Sequence, residues 1–387
     1  MRRILELDAL RGIFAVVIVL AHIGLLNDSP WIFSTVDLFF VLSGYFITTN
    51  VMKNRKTPGF LSVFFTRRAL RIWPAYYLAL AACLVLNRAL KWDARPDAWP
   101  QYLTFTQNIQ AYLKWPLPSF SGMFIHTWTL AIEEQFYIVW PLLLLRAGPR
   151  TRLGLILSFA ALPPIIRALG YSPYLLLTRC DGLALGALLA TLVFDRDRVA
   201  RRLGAFRAGF AAVGLSALLG PVLVGDRLIG TMEGWTGISW TQLGPALFTS
   251  RACLVYFGLG GLTLCLQGHP ALGLLRDKRL CYMGTVSYGL YLYHPMVFAA
   301  LPGPYKRLVF RHLGLHSTLL MNLTMLAVCF LLAELSRRYV EGPILALKER
   351  LTYKTAGVDP SAYAVVSPYR GPHPAPARTV ANGEHSS

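Results

Sequence analysis

Runs of about 18 to 25 residues with almost no charge recur from one end of this chain to the other, and a helix of that length crosses the hydrocarbon core of a bilayer. Ten of them lie near residues 10–28, 32–51, 72–90, 124–145, 152–169, 173–193, 205–223, 243–266, 281–301 and 316–336. Inside lipid, every backbone N–H and C=O must be satisfied within the protein. The expected fold is therefore an all-α integral membrane protein, a polytopic bundle of about ten transmembrane helices. Composition agrees, because 55% of residues are apolar and only 15% charged, against about 25% charged in a soluble domain. The first run follows Met1, Arg2 and Arg3 as a signal peptide would. No small-residue cleavage site follows His22, and a second run starts a few residues on, so a retained helical hairpin is expected.

The formal charge of +19 would suggest a nucleic-acid partner in a soluble chain. Here the basic residues fall mostly in short loops. With the N-terminus in the cytoplasm, 24 loop Lys and Arg residues lie inside and 9 outside, alternating along the chain, which is the bias that sets membrane orientation. Both termini are expected to be cytoplasmic, and no nucleic-acid partner is needed to account for the charge. The six cysteines are scattered, mostly within apolar runs and with no Cys-x-x-Cys pair, so they read as reduced, buried residues and no metal is expected. Neither nucleotide-binding glycine fingerprint is present.

Residues 1–345 read as one membrane-embedded domain and 346–387 as a largely disordered cytoplasmic tail, rich in Pro, Ala, Ser and Gly. Two longer outer segments, about 91–123 and 224–242, carry Trp92, Trp99, Trp115, Trp235 and Trp240. They read either as interfacial anchors or as a lid over an outer acceptor site.

Ionisable residues within apolar spans are costly and mark functional sites by default. Arg11 and His22 are 11 residues apart, close to three helical turns, so they share a helix face about 16 Å apart along the axis. If the first hairpin turns near Ser29 and Pro30, Asp37 lies level with His22. A carboxylate there would orient the imidazole for general-base work. Counting inward from the outer ends of other spans puts Glu133, Arg179, Asp181, Arg251 and His294 at a similar depth. That layer reads either as a charge-compensated cavity or, for Arg179, Asp181 and Arg251, as ion pairs joining helices. The loop Arg67-Arg68-Ala-Leu-Arg71 suits bidentate phosphate contacts, or topology determination and anionic lipid.

These residues fall into stretches that together resemble acyltransferase family 3, the integral membrane O-acyltransferases of bacterial polysaccharides and related acceptors. The resemblance starts with Leu7-Asp8-Ala-Leu-Arg11-Gly12 and His22, and continues through Asp37-Leu-Phe-Phe-Val-Leu-Ser43-Gly44-Tyr45-Phe46 and Arg67-Arg68-Ala-Leu-Arg71-Ile-Trp-Pro74. It extends to His126-Thr-Trp128-Thr129-Leu-Ala-Ile-Glu133-Glu134-Gln135-Phe136-Tyr137 and Ser287-Tyr288-Gly-Leu-Tyr291-Leu-Tyr293-His294-Pro295. It implies an acyl-CoA donor, acetyl-CoA above all, reached from the cytoplasm, and a hydroxyl acceptor on a carbohydrate or glycosylated small molecule. The implied setting is the bacterial inner membrane, crossed several times. Some relatives carry a C-terminal esterase-like domain, and here any such partner activity is expected from another protein.

Acyl transfer from a thioester needs a base, donors for the oxyanion and a dry site. His22 is expected to be the base, implied also by the resemblance, with Asp37 or Glu133 orienting it. Arg11, Arg67, Arg68 and Arg71 are expected to bind the donor. Trp128, Tyr137, Arg179 and His294 are expected to contact the acceptor. Direct transfer and an acyl-histidine relay both fit. The rival reading is a membrane transporter or flippase of a glycan or lipid-linked substrate, which predicts internal repeats; the spans instead carry dissimilar motifs. A receptor or scaffold without chemistry would call for a substantial soluble module.

Overall fold

The computed structural model describes residues 3–26, 29–89, 99–109, 121–236, 240–306 and 318–351. Among these the secondary structure is helical, with no strand. Ten helices exceed twelve residues: α1 Leu5–His22, α2 Val36–Asn54, α3 Phe60–Ala89, α4 Trp128–Leu144, α5 Pro149–Ala168, α6 Asp181–Val193, α7 Leu203–Thr236, α8 Trp240–Cys265, α9 Lys278–Ala300 and α10 Thr318–Ser336. Each overlaps one of the ten apolar runs. Among the described residues, five helical segments are long and apolar enough to cross a membrane: Pro30–Asn54, Phe60–Ala89, Pro149–Ala168, Leu247–Cys265 and Thr318–Leu347. Leucines and isoleucines such as Leu157, Ile165, Leu319 and Leu331 are exposed on α5 and α10, as lipid-facing positions require.

Local chemistry explains the helix ends. Gly24, in the left-handed region at φ 72°, stops α1, with its N–H bonded to Ala21 O at 2.9 Å. Ser29 then caps a short helix Pro30–Phe33 by accepting from Trp31 N, with Pro30 at its first position. Asp277 caps α9 through Oδ1, which accepts from Arg279 N and Leu280 N. Arg55 donates to Leu144 O and Ala147 O at 2.7 and 2.6 Å, so this basic loop residue also caps carbonyls at and just past the end of α4.

Two close helix pairs frame the interior. Where α1 meets α9, a methyl on Gly284 would lie 2.0 Å from Asp8 O, and one on Gly12 would lie 2.4 Å from Gly284 N. Where α2 meets α6, a methyl on Gly44 would lie 1.9 Å from Leu183 O and one on Gly186 2.0 Å from Val41 O. Only glycine permits backbones this close, the means by which helices associate where lipid supplies no hydrophobic drive. The six cysteines are buried and none is in a disulfide.

Four boundaries differ from expectation, one being the expected outer segment 224–242, which α7 occupies as far as Thr236. The third helix starts at Phe60 rather than near residue 72, so Arg67, Arg68 and Arg71 stand on a helix and not in a loop. Pro74 lies inside it without ending it, because proline removes one backbone donor and the remaining ladder continues through tertiary support. The expected span 173–193 is broken at Cys180 into Leu176–Arg179 and α6. Past α10 the helix widens to a π-helix over Arg337–Glu341 and runs on as α11, Gly342–Arg350. Trp92 and Trp115, most of the expected outer segment 91–123, and tail residues 352–387 lie outside the described residues. The side chains of Trp99, Trp235 and Trp240 do too.

Candidate active site

A cavity of about 810 Å³ runs through the interior between α1, α2, α3, α4 and α9. Because Arg11 and His22 share a face of α1 at about 16 Å separation, that helix spans it from one end to the other. Both residues line it.

At the His22 end the imidazole Nδ1 lies 2.8 Å from Ile18 O. A carbonyl only accepts, so Nδ1 carries the proton and Nε2 is left as the basic atom. The ring lies edge-on to Phe33 at 5.8 Å and 5.1 Å from His294. Asp37 lines the same cavity, but its Oδ1 pairs with Arg179 at 2.9 Å, and the carboxylate is 1% exposed. The Arg179 guanidinium is also 5.8 Å above the Trp128 ring and 6.0 Å above Phe40. Asp37, Arg179 and Trp128 thus form one fixed wall. The carboxylate expected to orient His22 is engaged by a guanidinium, and the backbone of α1 orients the imidazole instead.

The Arg11 end is cationic. Arg11, Arg68 and Arg71 line it, and the five ion pairs found among the described residues include none of them. Arg68 lies 5.1 Å above the Tyr137 ring. Glu133 is within electrostatic reach of Arg11 and Arg68. Its carboxylate accepts from Ser43 Oγ at 2.8 Å and from Tyr137 OH at 2.9 Å, and those two hydroxyls are 2.8 Å apart. Glu133 therefore serves this end and makes no hydrogen bond to His22. Asp8 and Glu341 also line the cavity, within electrostatic reach of Arg11 and Arg71 respectively, and Asp8 is paired with Arg3, so three guanidinium groups that form no ion pair of their own suit a polyanionic ligand.

The structure thus brings Arg11, His22, Asp37, Arg68, Arg71, Trp128, Glu133, Tyr137, Arg179 and His294 around one cavity. Arg67 is not among its lining; its guanidinium bonds to Leu351 O. Asp181 and Arg251 also lie apart from it. Asp181 pairs with Arg167 at 2.8 Å and accepts from Ser250, joining α5, α6 and α8. Arg251 stacks over Trp31 and Phe248. Arg167 is 5% exposed at the end of α5 and joins that helix to α6. Ser43 and His126 were not singled out from sequence, although both stand in the quoted motifs. A lone serine in Phe-Phe-Val-Leu-Ser was the available signal for the first.

The acyltransferase domain family matches residues 4–334. Over 378 residues, 88% of this chain, it is 27% identical to the peptidoglycan O-acetyltransferase OatA of Listeria monocytogenes. It is 29% identical over 374 residues, 89% of the chain, to YrhL of Bacillus subtilis, provisionally named a peptidoglycan O-acetyltransferase. It is 34% identical over 172 residues, 40% of the chain, to a Staphylococcus aureus protein provisionally named an O-acetyltransferase, of which it covers 28%. The chain spans about half the length of the first two relatives, 55% of each. No solved structure matches it. The chain belongs to the acyltransferase domain family.

Proposed function

We propose that this member of the acyltransferase domain family is a membrane O-acetyltransferase that moves an acetyl group from acetyl-CoA to a carbohydrate hydroxyl. One observation carries the reading. A single cavity has three guanidinium groups without ion-pair partners at one end and an oriented, basic imidazole at the other. The cations are suited to the phosphates of the donor. The imidazole is suited to taking the proton of a hydroxyl as it attacks the thioester. The relatives' names support a polysaccharide acceptor of the peptidoglycan type.

In this reading Arg11, Arg68 and Arg71 hold the donor, and Glu133 with Ser43 and Tyr137 holds those cations in register. His22 is the base. Asp37 is a positioning residue that acts through Arg179, which with Trp128 forms the acceptor wall. The ten helices cross the bacterial inner membrane with both termini cytoplasmic, so the Arg11 end opens to the donor and the His22 end to the acceptor.

The test is turnover of labelled acetyl-CoA by detergent-purified protein with a soluble N-acetylglucosamine oligomer as acceptor. Wild type is expected to transfer label, and His22→Ala to lose transfer while keeping its fold and its affinity for acetyl-CoA. Near-normal turnover in His22→Ala refutes the base. Failure of wild type to bind any acyl-CoA favours the transporter reading.

A further inference from the structure

Two histidines on the glycine-packed pair α1 and α9 are held by the same local device. His22 Nδ1 bonds to the carbonyl four residues back, Ile18, and His294 Nδ1 lies 3.0 Å from the carbonyl four residues back, Leu290. Each therefore carries its proton on Nδ1 and presents an Nε2 lone pair. Their rings are 5.1 Å apart. A third ring, His126, stands 5.2 Å from His294 on the turn Ile125–Thr127 that leads into α4. All three line the cavity.

The hydrogen bonding of this cluster is incomplete. His294 is 1% exposed, and its Nε2 has no partner. Both ring nitrogens of His126 are likewise buried and make no well-formed hydrogen bond, their nearest polar interaction being a weak one with the backbone of Tyr291. Buried polar atoms ordinarily have partners, and those without one call for a ligand or a catalytic role. A neutral imidazole has one N–H, so His126 contributes a donor held only weakly by the Tyr291 backbone next to the unused acceptors of His294 and His22. Among the described residues no group of three His, Cys, Asp or Glu is arranged to hold a metal ion. The group that matches one donor and adjacent acceptors is a hydroxyl, which accepts at oxygen and donates its single proton.

We infer that His126, His294 and His22 together form the binding site of the acceptor hydroxyl. His126 donates to the hydroxyl oxygen, and His294 Nε2 receives its proton as a hydrogen bond until the acyl donor is in place. This rests on the acetyl-transfer reading above, adds His126 to the residues that touch the acceptor, and gives His294 a specific role there. In the transfer step the hydroxyl oxygen bonds to the thioester carbonyl carbon and its proton passes to His22 Nε2. The C–S bond then breaks and the departing thiolate takes that proton, leaving an ester, a thiol and neutral His22. The N–H of His126 keeps an oxygen lone pair aimed at the carbonyl throughout.

The test compares His126→Leu, which keeps bulk without a donor, with His126→Gln, which keeps a side-chain N–H. Label transfer from acetyl-CoA to the N-acetylglucosamine oligomer is measured beside equilibrium binding of acetyl-CoA. His126→Leu is expected to lower transfer about 100-fold, the scale of losing one oriented donor, with acetyl-CoA affinity within about twofold of wild type. His126→Gln is expected to transfer at least about tenfold faster than His126→Leu. His294→Leu is expected to raise the acceptor KM with donor affinity unchanged. Equal transfer by the Leu and Gln variants of His126, or wild-type transfer by either Leu variant, overturns the site. If a Leu variant is not recovered folded, the Gln variant against wild type decides, and a fall in donor affinity equal to its fall in transfer also overturns it. A wild-type protein that does not consume acetyl-CoA overturns the acetyl-transfer reading itself, a separate result.

Discussion

Arg67 and Arg71 are one helical turn apart, yet tertiary contacts give them different partners. Arg71 lines the cavity, while Arg67 is held by Leu351 O at the end of α11. Arg71→Ala is therefore expected to weaken acetyl-CoA binding about tenfold and Arg67→Ala to leave it nearly unchanged, as read by isothermal titration. The Asp37 and Arg179 pair makes a different prediction, about stability. Its carboxylate is almost wholly buried, and removing one member of a buried pair costs about 3–5 kcal/mol because the other charge is left without its counter-ion. Asp37→Ala should lower the Tm in detergent by several degrees, whereas an orienting partner of His22 would affect turnover at unchanged Tm. The alternation of charge within apolar spans was legible in the sequence at both positions. Their partners were not, because Asp37 meets Arg179 across a gap of 142 residues in the chain, a distance that only folding closes.

Helices were the easiest feature to read. Each of the ten long helices overlaps an apolar run, because in lipid the period of side-chain burial matters less than uninterrupted apolar length. The ends were harder. Helix α3 extends back to Phe60 through a basic stretch, where polar composition resembles a loop although every residue type in it tolerates a helix. How the helices pair depends on glycines whose importance appears only in three dimensions. Gly284 faces Asp8 O and Gly44 faces Leu183 O, each at a distance no added methyl could occupy. Gly284→Ala and Gly44→Ala must push helix backbones apart, and overpacking of this kind costs about 1–3 kcal/mol. Gly204→Ala, where a methyl meets nothing within 4 Å, is the control. Thermal unfolding of the three variants should separate them, with only the first two destabilised.

For the whole molecule, the distribution of loop charge sets the expected orientation. The alternating surplus of Lys and Arg argues that the loop after α2, with Arg55 and Lys56, is cytoplasmic and that the loop after α5 is outside. The native cysteines are all buried, so single reporters can be introduced on a quiet background. Lys56→Cys in intact cells should resist a membrane-impermeant maleimide and Tyr171→Cys should react, both positions being exposed. The reverse pattern would invert the proposed topology and put the cationic end of the cavity on the wrong side for a cytoplasmic donor.

By itself, the sequence determined that this chain is helical and suited to a membrane, and which polar residues are too costly to be buried without purpose. Those properties follow from side-chain transfer energies and backbone satisfaction, which act locally. The tertiary structure alone decided that Arg68 rather than Arg67 joins Arg71, that Asp37 belongs to Arg179, that Glu133 serves the cations, and that His126 stands beside His294. Each is a choice among partners of nearly equal chemistry, and with charge and depth alike, only the tertiary packing of the helices selects which side chains meet.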